Sequence, residues 1–498
     1  MTFLKRIFNQ PNNKIYNIFI FISLSLVALR LLFISGTMLI DDEAYYAMYA
    51  RHLDWGYIDH GPVVGFIIRV FTLFGENPFS IRIGAVLMMA ILAVILYRFG
   101  KTHFNKTTGM VLSLGISANM LFHTNSIVIT PDLPLTFFTV LAIVYYYKAY
   151  CVDADKYLIP AGIFLGLAML SKISALFPAM GIALFPFLVK EKRYILKNIN
   201  FYGSFITAFL VFLPFIIWNL QNDLAFFRYQ GSHISRAGDI GNFSELWGSL
   251  IILLGPIYFY YAAIQPYINL SKWKNLPAPI QYFTVITIIP MTYFLIHSFF
   301  SRLEANWPAP VFFGGLFLMG ITNVGERWEK RKSQLLVQLI FSLILIATVS
   351  FQTFSKFIPL KGKKDITNRY FIYSSFNTEL KEFLDNNAEY SNYRILANNF
   401  QIPSMINIYL NPGKEASCLS IGYHETLYSF INNDKDLVGS DYLFISSGKK
   451  FPKKCEKYFD EKILLKQFSS KRNKEKVKNF SIWLVKGYKG KSYFEEEA

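Results

Sequence analysis

Long apolar segments recur through the first 350 residues of this chain, and they leave few folds open to it. A helix that crosses a bilayer takes roughly 20 apolar residues. Eleven segments approach that pattern: 15–35, 81–99, 108–122, 131–149, 158–171, 173–190, 202–218, 246–264, 279–297, 308–324 and 334–352. Backbone in hydrocarbon must satisfy its own hydrogen bonds, so the segments read as α-helices. The pair at 158–171 and 173–190 is short and breaks at Ser171–Lys172. Composition agrees: 53% of the 498 residues are hydrophobic and 17% charged, a smaller charged share than a soluble surface of this size requires. The 49 Phe and 31 Tyr suit lipid-facing and interfacial positions. No internal repeat is visible, which argues against a soluble repeat protein.

Orientation follows from Lys and Arg in the short loops, which mark the cytoplasmic side. Lys5–Arg6, Arg98 to Lys106, Lys190 to Lys197, Lys272 with Lys274, and Arg327 to Lys332 form one alternating set. The other set, 36–80, 123–130, the Lys172 break, 219–245 and 298–307, faces outward, as does 353–498 after eleven spans. The first apolar run, Ile15 to Ile34, is too long for a signal-peptide core and no small-residue cleavage pattern follows, so it reads as an uncleaved signal anchor. The net charge of +17 then marks topology and attraction to anionic lipid head groups, not nucleic acid. Two domains are expected: a transmembrane domain over 1–352 and a soluble α/β domain over 353–498. The latter has strands at Tyr393–Ala397, Tyr442–Ser446 and Ser481–Val485 and a helix at Phe376–Asn386. Three cysteines without a CxxC pair argue against a thiolate metal site. Cys418 and Cys455 are either a disulfide or two free thiols.

The outward loops carry the chemistry. In the first, Asp41-Asp42-Glu43-Ala44-Tyr45-Tyr46 precedes Gly56-Tyr57-Ile58-Asp59-His60-Gly61-Pro62. Carboxylates at a membrane boundary are costly unless solvated, paired or metal-bound. They can take a proton from an acceptor hydroxyl, hold a divalent cation or hold a cationic group; equally, Asp41 and Asp42 can cap the following helix. Arg82 stands at the start of a span, where phosphate binding and snorkelling to the interface are both open. Asp132 follows Pro131 at a helix start, where an acid is ordinary N-terminal chemistry. Lys172 interrupts apolar sequence. Glu304, which suits metal or sugar hydroxyls, stands with Arg302 and Asn306 before Trp307. His233 and Arg236, in the 219–245 loop, are candidate acceptor contacts that match no motif.

Taken in order, Asp42-Glu43-Ala-Tyr-Tyr with Gly-Tyr-Ile-Asp-His-Gly-Pro, Asn77 to Leu87 with Arg82, Thr130-Pro131-Asp132-Leu133-Pro134, Leu170-Ser171-Lys172, Ile217-Trp218-Asn219, and Glu304-Ala305-Asn306-Trp307-Pro308-Ala309-Pro310 resemble the motifs of glycosyltransferase families 39 and 83 over roughly residues 15–325. These are GT-C enzymes, among them protein O-mannosyltransferases and lipid A aminoarabinose transferases. The resemblance implies a polytopic α-helical membrane protein with about eleven or more transmembrane helices and a small C-terminal extracytoplasmic α/β domain. It implies an inverting glycosyltransferase with a polyprenyl-phosphate sugar donor and an acceptor on the same side. Asp42 takes the position of the family's catalytic acid, with Glu43 beside it and Asp132 as a second acid. Arg82, Lys172 and His60 are the implied donor-phosphate contacts. Asp59, Glu304 and Asn306 are substrate or metal contacts. Where aminoarabinose transferases have Glu-Lys, this chain has Asp59-His60, which leaves phosphate contact, a divalent metal site and a plain turn histidine all open.

The implied setting is the bacterial inner membrane with the site facing the periplasm, and lipid A is the preferred acceptor, since a bundle followed by one small domain resembles the aminoarabinose type. A glycoprotein or other envelope glycan is the alternative acceptor. A lipid-linked sugar flippase or transporter is the rival class, and a non-catalytic scaffold a third reading.

Overall fold

The computed structural model describes residues 13–234, 240–322, 328–360, 362–421, 424–432 and 434–490. Lys5, Arg6, Arg236 and Arg327 lie outside the described residues, as does the side chain of His233. The fold is a multi-pass helical membrane protein with a small C-terminal sheet. Every apolar segment expected to span coincides with a helix or a broken helix. Five helices among the described residues are long and apolar enough to cross a membrane: Lys14–Gly36, Pro78–His103, Ile199–Gln221, Ala278–His297 and Arg331–Ser355. Two bent pairs bring that to seven, fewer than the eleven full spans expected.

Local chemistry bends or divides several of the segments. The segment 246–264 turns by 118° between Ile240–Leu254 and Pro256–Ser271. Gly255 there takes φ +84°, open to glycine at little cost, and Pro256 cannot donate to the preceding turn. The segment 108–122 divides into Lys106–Ser117 and Met120–Thr124 because Asn119 caps the second piece, its side chain accepting from the Leu121 and Phe122 amides. The expected break at Lys172 is present, in extended conformation, after Leu158–Ser171.

Contacts divide the chain into two compact units. The first holds Met1–Phe33, His60–Val64 and Ile83–Thr348. Small residues bring its helices together: a Cβ added at Gly162 would lie 2.0 Å from the Ser204 carbonyl oxygen, the close backbone approach typical of membrane helix pairs. Buried polar groups find partners inside it. Tyr258 Oη donates to the Phe312 carbonyl at 2.8 Å and Tyr282 Oη to that of Ile143 at 2.9 Å. Arg30, in the first span, donates to the Ser117 carbonyl at 2.5 Å.

The second unit holds Ile34–Asp59, Gly65–Arg82 and Val349–Ala498. It therefore takes in more than the expected 353–498. The first-loop helix Asp41–Arg51 belongs to it because Ala44 is fully buried in the same core as Phe376, Leu380, Met405 and Ile482. Its sheet has the order β2-β1-β3-β5-β4, from β1 (Ile395–Ala397), β2 (Ser417–Cys418), β3 (Tyr442–Ser447), β4 (Glu461–Arg472) and β5 (Glu475–Lys486). β1 runs parallel to β2 and β3, and β5 antiparallel to β3 and β4. Side chains alternate as the pleat requires: Leu443 and Ile445 enter one core, Tyr442 and Phe444 the other. The β4–β5 turn, Asn473-Lys474, has both residues at positive φ, as a two-residue type I′ hairpin demands. Arg472 donates to the carbonyls of Gln352 and Thr353 and pairs with Asp365 at 3.2 Å, placing a cation at the C-terminal end of the last long helix, where its dipole favours one. Cys418 and Cys455 are free thiols, both buried.

Candidate active site

The motif residues form two polar groups, one in each unit. In the second unit, Asp41, Asp42 and Glu43 make the first turn of Asp41–Arg51. Three acids sit favourably at the positive end of a helix. Neither aspartate is the cap; Ile40 holds that position, and Glu43 reaches back to accept its amide at 3.0 Å.

Glu43 and Arg82 are both sealed, at 0% side-chain exposure. Arg82 Nε donates to Glu43 Oε1 at 2.7 Å and Nη2 to Oε2. Nη1 donates to the Thr37 carbonyl and hydroxyl, each at 3.0 Å, and Nη2 also to the Met38 carbonyl at 2.7 Å. These five bonds occupy every donor a guanidinium has. The phosphate role that the resemblance implies for Arg82 does not fit this geometry, and both oxygens of Glu43 accept from the guanidinium. The pair holds the entry to the acidic turn in place.

Asp42 is different. Its side chain keeps 39% exposure. Arg369, in the turn Ile366–Phe371, donates from Nη2 to Asp42 Oδ2 at 2.8 Å and to Asp41 Oδ1 at 3.1 Å. Desolvation, then the Asp41 charge, push the Asp42 carboxyl above its ordinary range, and Arg369 works against them. Burial disfavours the Arg369 charge, but the two carboxylates more than offset it and hold the guanidinium above its usual value. Arg369 belongs to no motif in the sequence. A single Arg among 50 basic residues, after the last span, gives no signal in the sequence.

Asp59 accepts a hydrogen bond from the Tyr49 phenol, whose ring stacks on Tyr57 with centroids 3.6 Å apart. Among the described residues no group of three or more His, Cys, Asp or Glu side chains could hold a metal ion. Asp59 and His60 belong to no such group among those residues.

In the first unit, three motif loops meet. Asp132 opens the helix Asp132–Cys151 without capping it. Its Oδ1 accepts from Lys172 Nζ and its Oδ2 from Asn306 Nδ2, both at 2.7 Å. The first-loop segment reaches the same turn: a Cβ at Gly61 would lie 1.7 Å from the Leu170 carbonyl oxygen, so only glycine lets the His60-Gly61-Pro62 backbone rest there. His60 is half-buried and Glu304 exposed. Glu304 contributes its carbonyl to the turn, accepting from the Trp307 amide at 3.0 Å. An apolar cavity of about 500 Å³ in this unit, lined by residues such as Phe19, Leu114, Tyr258 and Leu339, contains none of these groups.

Residues 59–218 match the family of dolichyl-phosphate-mannose-protein mannosyltransferases. The whole chain resembles a solved structure, ArnT from Cupriavidus metallidurans bound to undecaprenyl phosphate, with a TM-score of 0.63 and 13% identity over 95% of this chain and 98% of that one. This chain has the GT-C glycosyltransferase fold. The apo state of the same ArnT matches at a TM-score of 0.62 and 13% identity over 94% of this chain and 98% of that one. A curated relative, the lipid A galacturonosyltransferase RgtD of Rhizobium johnstonii, is 26% identical over 301 residues, which is 58% of this chain and 61% of that protein. The aligned part of this chain thus spans less than two thirds of that relative's length.

Proposed function

We propose that this protein is an inverting glycosyltransferase that moves a sugar from a polyprenyl-phosphate donor to lipid A on the periplasmic face of the bacterial inner membrane. The observation that carries the reading is Asp42. Of the three acids in the motif turn, Glu43 is sealed by Arg82 and Asp41 is largely covered, while Asp42 keeps 39% side-chain exposure beside a cation. Support also comes from the family match over residues 59–218, the lipid A galacturonosyltransferase relative, and the undecaprenyl phosphate bound by the structurally similar ArnT.

The chemistry is a displacement at the anomeric carbon. An acceptor oxygen forms the new bond, the bond to the donor phosphate oxygen breaks, and the electron pair leaves with polyprenyl phosphate. Stabilising that departing charge is the main electrostatic task. With a lipid A phosphate as acceptor the nucleophile is already anionic, and Asp42 orients the sugar ring. With a hydroxyl acceptor, such as a glycoprotein's, Asp42 takes the proton. In the first unit, Lys172 and Asn306 hold the Asp132 carboxylate from both sides.

The test is mass spectrometry of lipid A from cells lacking the gene, complemented with the wild type or with Asp42→Asn. The expected outcome is one sugar mass lost on deletion, restored by the wild type and not by the stably folded variant. Unchanged lipid A in all three would overturn the acceptor. Translocation of a labelled lipid-linked sugar in vesicles without any transfer would overturn the enzyme class in favour of a flippase.

A further inference from the structure

The donor phosphate needs a cation, and of the three residues to which the resemblance assigns that task, Arg82, Lys172 and His60, the two that always carry charge are already paired inside the protein. All five donors of Arg82 are bonded inside the protein. Lys172 is 12% exposed and bonded to Asp132. Arg369 is the exception among the cations paired with motif carboxylates, with 49% of its side chain exposed. Both of its bonds to the aspartates leave from Nη2. Its Nε and Nη1 groups carry three further N–H donors, and these make no bond among the described residues.

We propose that Arg369 binds a substrate phosphate through Nε and Nη1 while Nη2 keeps hold of Asp41 and Asp42. The inference rests on the glycosyltransferase reading above and names a residue for it. The planar fork of arginine suits this double duty: one guanidinium faces carboxylates on one side and a phosphate on another. It also couples substrate to the acidic turn. Phosphate drawn onto the guanidinium shares the charge that restrains Asp42, so its carboxylate becomes more basic as the substrate arrives. The groups that face Asp42 are Asp41 and Glu43 from its own helix and Arg369 and Tyr373 from the segment packed on it. Arg369 is the cation among them.

Two sources share this chemistry, the polyprenyl-phosphate donor and a lipid A phosphate, and the experiment separates them. Full-length protein in detergent is tested as wild type, Arg369→Gln and Arg369→Lys. Binding is measured with undecaprenyl phosphate, with undecaprenol as the uncharged control, and with lipid A. The pH profile of kcat/KM and the thermal midpoint are recorded alongside.

Charged hydrogen bonds of this kind set the expected loss: Arg369→Gln weakens phosphate binding by about 10- to 100-fold, leaves undecaprenol unchanged, and moves the acid limb of kcat/KM to higher pH. Arg369→Lys keeps the limb near its wild-type position and recovers part of the affinity. A loss confined to undecaprenyl phosphate assigns the contact to the donor; a loss confined to lipid A assigns it to the acceptor. Unchanged phosphate binding with an unmoved acid limb overturns the proposal, whatever happens to the thermal midpoint. If wild-type protein transfers no sugar, the glycosyltransferase reading fails, while the binding arm still decides whether Arg369 holds phosphate.

Discussion

Arg82→Met tests whether the sealed pair is architecture or chemistry. Glu43 accepts three hydrogen bonds, two from Arg82 and one from the Ile40 amide. Removing the guanidinium leaves a carboxylate of zero exposure with one of those three, and takes a donor from the Thr37 and Met38 carbonyls as well. Breaking one side of a buried ion pair costs about 3–5 kcal/mol. A domain of 150–250 residues loses about 2–4 °C per kcal/mol, so the midpoint should fall by roughly 6–20 °C. The double variant Glu43→Leu, Arg82→Met should regain most of that loss, since apolar replacement of a buried pair is often neutral or stabilising by about 1–4 kcal/mol. The assay is thermal unfolding of the detergent-solubilised chain at one fixed scan rate, because membrane proteins of this size unfold irreversibly. Undecaprenyl phosphate binding is measured on the same samples below the transition. A full-height midpoint in Arg82→Met together with lost phosphate binding would refute the reasoning and return Arg82 to the donor.

Three further outcomes follow from the geometry. Gly61→Ala places a methyl group 1.7 Å from the Leu170 carbonyl oxygen; because both sides are backbone, overpacking costs at least about 1–3 kcal/mol and transfer activity drops with the midpoint, which a melt and a turnover assay check together. Lys172→Ala should harm the protein more than Asn306→Ala, since it removes the positive charge beside an Asp132 that is only 8% exposed, whereas the amide supplies one hydrogen bond to a charged group of about 1.5–3 kcal/mol; equal losses in kcat/KM and midpoint would show that charge is not what matters there. Glu415 is held below the ordinary glutamate range, first by the hydrogen bond from His52 and then by the His52 and Arg51 charges. A depressed carboxyl contributes stability above its unfolded value of about 4.3 and loses it as pH falls through its lower folded value. Glu415→Gln should therefore flatten the acid edge of the melting profile, by a small amount because both side chains are about a third exposed; an unchanged edge would remove this contact from the acid response.

The helices and much of the sheet were legible in the chain because their signals are local. Apolar length marks helix wherever it occurs, so every expected span fell on a helix or a broken helix, and the β-rich runs at 393–397, 442–446 and 481–485 fell on β1, β3 and β5. The breaks at Gly255 and Asn119 show the limit: a hydropathy window averages across one glycine or one capping side chain, which then redirects the backbone. β4 was missed because its alternation is diluted by Lys and Ser on an exposed edge. Motif order, too, located the acidic turn, the Asp132 loop and the Lys172 break. What those side chains do was decided elsewhere. A formal charge in the sequence carries no statement of its partner, and Arg82 and Arg369 look alike as letters. Folding buries one against Glu43 with every donor filled and leaves the other half in solvent between two aspartates. The cost of an unpaired buried charge is what separates them, and that cost exists only once tertiary structure has fixed which groups lose their water.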